Sequence, residues 1–463
     1  MEIADILPAG SLNNEVWIFV FLFASLFFSK IRRDGFRKFL LIFLSILFAL
    51  AINSYSSILF FGFFLSVILN FFFYKFLNKS KYVLHFGVVF NLTLLFFAKY
   101  YIFILNSFGF VPLFENLNKL FLFAGLSFFV FSMIASLIQA SKTDEQKVGF
   151  FDFIIYSIFF PRILMGPIIT VGQFSKSFEE PNEISNKLGI FLFMFGFSKK
   201  VLADFLFLYP SLVFANPDGY SGSVHILSVF GYAAQLYLDF SGYTLMAIGL
   251  ALIFGYKLPE NFNRPYLALS ISQFWQRWHI TLSDWLKSYV YIPLGGSRFG
   301  LPRLYFALFI TFVASGIWHG VGFNYLIWGV WHGIGIIIHK SWTLAGFVMP
   351  KILSWLLTFF FVCFGWILFI YTDLKNIEIV LQAILYNFDL TIIPSVFMAN
   401  LEWSVMFFVA WFLILAPVKF LKKIEQLIFD SNIFIQFLII LMILYASVYV
   451  KTIVVAPFIY ESF

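Results

Sequence analysis

The 463-residue sequence contains one cysteine, Cys363, so it can form no internal disulfide and no cysteine-based metal site. Inside FFFVCFGWILF, that residue reads as a small apolar core side chain. Charge is also scarce. Asp, Glu, Lys and Arg together make up 11% of the residues, against roughly 25% in a soluble globular chain. No GxSxG, GxGxxG or Walker A run occurs, so nothing points to a nucleophile-elbow hydrolase, a dinucleotide-binding fold or a P-loop enzyme. The opening MEIADILPAGSLNNE is acidic and carries no basic n-region; no cleavable signal peptide is expected, and the first apolar segment reads as an anchor.

What fills the chain is apolar. Hydrophobic residues make up 62% of it, and 71 residues are Phe. A span needs roughly 20 apolar residues. Candidates are 16–29, 39–52, 57–74, 82–98 (extending toward 110), 120–140, 151–171, 189–208, 224–254 (bent or double), 304–319, 323–339, 352–371, 402–418 and 433–456. The expected fold is an all-α polytopic membrane protein, one integral-membrane domain over 1–463 with about eleven to thirteen membrane-embedded helices. The net charge of +7 belongs to cytoplasmic loops under the positive-inside rule and does not indicate nucleic acid. Lys30, Arg32, Arg33, Arg37 and Lys38 follow the first span. NSYS is neutral, Lys75, Lys79 and Lys81 come next, 111–118 has no base, and Lys142 and Lys147 follow. This alternation places the N-terminus outside, and Lys419, Lys422 and Lys423 mark a further cytoplasmic loop.

One polar gap is long, 255–303, with six bases (Lys257, Arg264, Arg277, Lys287, Arg298, Arg303) and two acids (Glu260, Asp284), hence +4. Within it Phe274, Trp278, Thr281, Trp285 and Tyr289 recur at three- and four-residue steps, which predicts an amphipathic helix at the membrane surface, capped by Ser270 or Ser272.

Ionisable groups inside spans are functional candidates by default: Arg162, Lys199, Lys200, Asp204, Asp239, His319 and His332. His319 stands in SGIWHGVG beside Trp318 and Gly320, with Asn324 close by. His332 stands in the near copy VWHGIG. A general base needs a dry site and a pKa near the working pH; a structural histidine bonded to a neighbouring helix fits the same pattern. His332 reads as structural or substrate-lining, His279 as interfacial on a polar face, and Asp239 as a buried partner for a base or the lining of a wet cavity. A histidine-only metal site of His279, His319 and His332 lacks any carboxylate or cysteine at ligand spacing, so no metal is expected. Arg277 and Lys287 are placed to meet phosphates of a nucleotide-bearing substrate, or to anchor the segment inside.

Several long words occur in order: FFPRILMGPI (159–168), FGFSKKVLADFL (195–206), LDFSGYTLMAIGLALIFGY (238–256), LPENFNRPY (258–266), QFWQRWHITLSDWLKSYVYIPLGGSR (273–298) and SGIWHG (315–320). Together they resemble the membrane-bound O-acyltransferase family, in its alginate and peptidoglycan O-acetyltransferase subgroup. The likeness covers about residues 150–340, with 1–149 and 341–463 as flanking helices. One departure stands out: after DFSGY the subgroup commonly carries Ser-Asp, whereas this chain has Thr244-Leu245.

The resemblance implies a helical bundle with a tunnel to a buried histidine. It maps the catalytic histidine onto His319 and the second of the pair onto His279, with Trp318, Gly320, Asn324, His332, Asp239, Arg277 and Lys287 as donor or tunnel candidates. It implies acetyl-CoA as donor substrate, no cofactor, and an inner-membrane location among membrane lipids. It also implies a separate extracytoplasmic partner protein that delivers the acetyl group to an envelope glycan. Heavy use of Lys, Phe, Ile and Asn suggests an AT-rich genome, which favours peptidoglycan over alginate or another exopolysaccharide. A transporter or flippase using Asp239, Lys199 and Arg162, or a scaffold for an envelope complex, are the readings from other classes.

Overall fold

The computed structural model describes residues 34–52, 57–77, 81–109, 123–142, 148–180 and 182–453. Among them the regular structure is helical, and the one ladder contact is an isolated antiparallel bridge between Phe178 and Tyr256. That is the outcome expected when backbone groups must be satisfied within a segment at membrane depth. The candidate span 16–29 and several orientation markers, Lys30, Arg32, Arg33, NSYS, Lys79, 111–118 and Lys147, lie outside the described residues. The chain forms two compact units, residues 1–193 with 244–260, and residues 194–243 with 261–463.

In the first unit, α1 (Asp34–Ile52), α2 (Ser57–Phe76), α3 (Lys81–Leu95) and α4 (Leu126–Lys142) follow the predicted apolar runs. The α3 run continues through a π-helical turn at Phe96–Tyr100 into Tyr101–Ser107. Asn70 of α2 and Asn91 of α3, both fully buried, exchange amide hydrogen bonds of 2.7 and 3.3 Å, a polar join of the kind that fixes apolar helices to one another. The expected span 151–171 is a correction. Only α5 (Phe150–Ile158) is helical there, because Pro161, Gly166 and Pro167 interrupt the run. Arg162 satisfies the break: its guanidinium donates to the Tyr156 carbonyl at 2.7 Å and to the Ser132 hydroxyl at 2.9 Å.

Two long helices carry residues of both units, α6 (Glu183–Ala215) and α7 (Gly222–Ile253). The second is one uninterrupted helix, where the sequence left a bent or doubled segment open. Within the second unit, the predicted surface helix is also a correction. The stretch folds as α8 (Ile271–Trp275), α9 (Ile280–Leu286) and a π-turn at Lys287–Tyr291. The break falls at His279, whose φ of 45° is left-handed. Asn261 holds it: its side-chain oxygen accepts from Thr281 Oγ1 at 2.7 Å and Thr281 N at 3.2 Å, and its carbonyl accepts from Ile280 N at 2.9 Å. Asn263 N donates to the Arg277 carbonyl at 2.9 Å. Phe274, Trp278, Thr281 and Trp285 are consequently buried in protein. Ser270 is the cap, accepting from Gln273 N.

The rest of the unit contains α10 (Gly300–His319), α11 (Phe323–Leu344), α12 (Lys351–Ile370), α13 (Leu401–Leu415), α14 (Val418–Asp430) and a last helix at Ile433–Ile453. The expected span 402–418 ends at Leu415 and turns by 106° into α14, since Pro417 cannot continue the helix. Arg264 donates to two carbonyls of that bend, Ile414 at 3.0 Å and Ala416. Six helices among the described residues are long and apolar enough to cross a membrane, or eight if each of two bent pairs is one span.

Candidate active site

Two glycines set the site. A Cβ on Gly329 would stand 2.6 Å from the Phe312 carbonyl oxygen, and one on Gly316 would run into the Tyr325 carbonyl. Helices α10 and α11 therefore touch backbone to backbone there. Each contact glycine is followed three residues later by a histidine, His319 on α10 and His332 on α11. A spacing of three keeps both on the contact side of their helices.

The rings form an alternating row. His279 lies 6.0 Å from Trp318 between ring centroids, Trp318 lies 4.9 Å from His319, His319 lies 4.9 Å from Trp328, and Trp328 lies 4.6 Å from His332. Phe240 of α7 packs edge-on against His279 at 4.8 Å, Phe369 against His319 at 5.3 Å, and Trp275 against His332 at 5.0 Å. All three imidazoles are buried, His319 at 2% exposure and the other two at 0%. In the 255–303 segment, outside the apolar spans, burial holds the His279 imidazole down at about 3, because a low-dielectric surrounding disfavours the charged ring.

A cavity of about 400 Å³ lies next to this row, separated from His332 by Trp275 and Phe312, and is within the size range of small-molecule sites. Trp275, Phe312 and Ser315 line it together with Ile280, the residue after His279. Ser315 is one helical turn before His319. Lys287, Lys340, Asp284 and Gln276 supply its polar wall.

The other sequence candidates separate from this centre. Lys287 lines the cavity, whereas Arg277 is not part of its lining; its carbonyl serves Asn263. Trp318 sits between His279 and His319 in the row. Gly320 is needed because a Cβ would collide with the Tyr325 ring. Asn324, fully buried, donates from Nδ2 to the Leu368 carbonyl at 3.1 Å, joining the start of α11 to the end of α12. Asp239 belongs to a buried ion cluster: Lys200 Nζ lies 2.8 Å from it and 2.6 Å from Asp204. Its neighbour Phe240 carries that anchoring to His279. Among the described residues no three His, Cys, Asp or Glu side chains are grouped to hold a metal.

Trp275, Trp328, Asn261 and Lys340 were not singled out from sequence. Trp328 precedes His332 by one helical turn, a spacing that would have revealed it. The contacts of Asn261 become visible only in the fold.

Residues 109–377, more than half of the chain, match the membrane-bound O-acyltransferase family. The chain is 35% identical over 325 residues to the peptidoglycan O-acetyltransferase of Helicobacter pylori, covering 62% of this chain and 61% of that protein. It is 37% identical over 273 residues to the probable alginate O-acetylase of Pseudomonas aeruginosa, covering 58% of this chain and 52% of that one. It is 27% identical over 281 residues to the teichoic acid D-alanyltransferase of Bacillus subtilis, covering 54% and 69%. The match thus spans about half to two thirds of the length of these relatives. With the family match running through the whole row from His279 to His332, the chain is a member of the membrane-bound O-acyltransferase family.

Proposed function

We propose that this protein is a membrane O-acetyltransferase that takes acetyl groups from a cytoplasmic thioester, acetyl-CoA, and passes them outward for O-acetylation of an envelope glycan. The observation that carries the reading is the buried row His279–Trp318–His319 beside a cavity walled in part by Lys287 and Lys340. A thioester arm enters the cavity, and the lysines meet the phosphates at its far end. The neutral imidazole of His319 takes the proton from an acceptor hydroxyl as that oxygen attacks the thioester carbonyl carbon. The tetrahedral intermediate collapses, the C–S bond breaks, and the departing thiolate takes the proton back from the imidazolium. Trp318, Trp328 and Phe369 keep bulk water from the base, which limits wasteful hydrolysis of the thioester. Neutral His279, one indole away from His319, helps position the acyl group.

The acceptor is read as peptidoglycan, reached through an extracytoplasmic partner that presents the hydroxyl. The amino-acid composition, heavy in Lys, Phe, Ile and Asn as expected of an AT-rich genome, supports that choice over alginate. The protein works in the bacterial inner membrane with its N-terminus outside. A deletion strain should lose O-acetyl groups from its peptidoglycan, and a His319→Ala copy should fail to restore them. Unaltered peptidoglycan acetylation in the deletion strain would assign the acetyl group to another envelope polymer.

A further inference from the structure

Buried indole N–H groups are normally hydrogen-bonded, and four indoles of the second unit follow that rule. Trp331 donates to the Phe361 carbonyl at 3.1 Å, Trp355 to the Tyr266 carbonyl at 2.8 Å, Trp366 to the Tyr266 hydroxyl at 3.1 Å, and Trp403 to the Leu206 carbonyl at 3.0 Å. Trp328 departs from this pattern. None of its surface is exposed, yet its Nε1 has no hydrogen-bond partner among the described residues. The same holds for Trp275 Nε1 and for both ring nitrogens of His332. These three side chains touch one another, Trp275 lying 5.5 Å from Trp328 and 5.0 Å from His332. Trp411 also lacks a partner, but it is only half-buried and packs elsewhere, on Tyr266 and Phe359. Three side chains with unpaired ring nitrogens thus pack together at the His332 end of the row.

We propose that Trp328 Nε1–H is an oxyanion donor for acyl transfer at His319. The inference rests on the acyl-transfer reading above. When the acceptor oxygen attacks the thioester carbonyl, the C=O π pair moves onto the acyl oxygen, which then carries a full negative charge. Trp328 offers an N–H beside the base that activates the nucleophile, since its ring packs directly on His319. An indole suits the task because it donates without accepting and does not compete with the imidazole for the proton. It is also held in place before the reaction begins: His332, Trp275 and Phe369 enclose it, at 4.6, 5.5 and 5.7 Å between ring centroids. A donor fixed in a dry site gains most from charge that appears only in the transition state. When the intermediate collapses, the C=O bond re-forms, the thiolate leaves, and the N–H is open again.

The test replaces the N–H while keeping the shape. Trp328→Phe and a variant carrying 3-benzothienylalanine, in which sulfur stands for N–H, are compared with wild type for thioester turnover and thermal midpoint in detergent. Loss of one oxyanion donor should lower kcat by about 10²–10³-fold, with KM for acetyl-CoA and the thermal midpoint little changed in the benzothienyl variant. Wild-type kcat in that variant overturns the assignment, and so does a loss confined to Trp328→Phe that tracks a fallen thermal midpoint. A wild-type protein that turns over no thioester overturns the acyl-transfer reading, and this inference with it.

Discussion

His319 ends helix α10 with an indole on either side and Phe369 against it. Its replacement by Ala should remove acetyl transfer by about 10²–10⁴-fold, the usual cost of losing a general base, while expression and detergent stability persist. Retention of more than about a tenth of the activity would remove it from that role. His279→Ala should lower turnover by a smaller factor. Because burial holds His279 down at about 3, its ring is neutral throughout the physiological range and does not titrate there. The pH profile of His279→Gln should therefore run parallel to wild type between about pH 5 and 8; a vanished acid limb in the variant would show that His279 does titrate there. His319 stands out in the sequence because an ionisable side chain contrasts with apolar surroundings, whereas His279 reads there as interfacial and is picked out only by the family resemblance. Trp328 and Trp275 were not, since aromatic rings offer no contrast in a chain with 12 Trp and 71 Phe. What distinguishes them is an unpaired N–H, which is a property of the packed structure.

Helices α10 and α11 were visible from hydropathy alone, and so was the turn of glycines between them. The segment before them was not. The three- and four-residue spacing of Phe274, Trp278, Thr281 and Trp285 reads straight through His279, but Asn261 captures the backbone and side chain of Thr281 and stabilises a left-handed residue in the middle. That interaction spans 20 residues and leaves no periodic trace. The predicted span at 151–171 failed for a related reason: apolar composition persisted where Pro161 and Pro167 had already ended the helix. Two substitutions test these elements. Asn261→Ala leaves Thr281 without its acceptor, which costs about 1–3 kcal/mol, and should lower both the thermal midpoint and activity by releasing His279. Gly329→Ala places a Cβ against the Phe312 carbonyl. Overpacking at a backbone contact costs about 1–3 kcal/mol and should push His319 and His332 off their common side, so activity should fall further than stability alone predicts. A fully active Gly329→Ala enzyme would show that the close approach of α10 and α11 is not needed.

At the scale of the molecule, the family's helical architecture was legible from long words in order, whereas the position of the charged cavity wall was not. Sequence pointed to Arg277 and Lys287. The structure keeps Lys287 on the cavity and adds Lys340, while Arg277 is absent from the lining. Lys287→Glu and Lys340→Glu should each raise the KM for acetyl-CoA several-fold, added salt should mimic part of the effect, and Arg277→Glu should do so less. Equal effects at all three positions would mean that the long-range field, not the cavity, attracts the donor. The proposed reaction cleaves a thioester at His319 inside the membrane domain. Its most direct test is release of free CoA thiol from acetyl-CoA by the purified protein in proteoliposomes, with a soluble hydroxyl acceptor present. Wild type should release thiol in step with acetylation of the acceptor, and His319→Ala should show neither. Absence of thiol release by wild type, or equal release by wild type and His319→Ala, would contradict it.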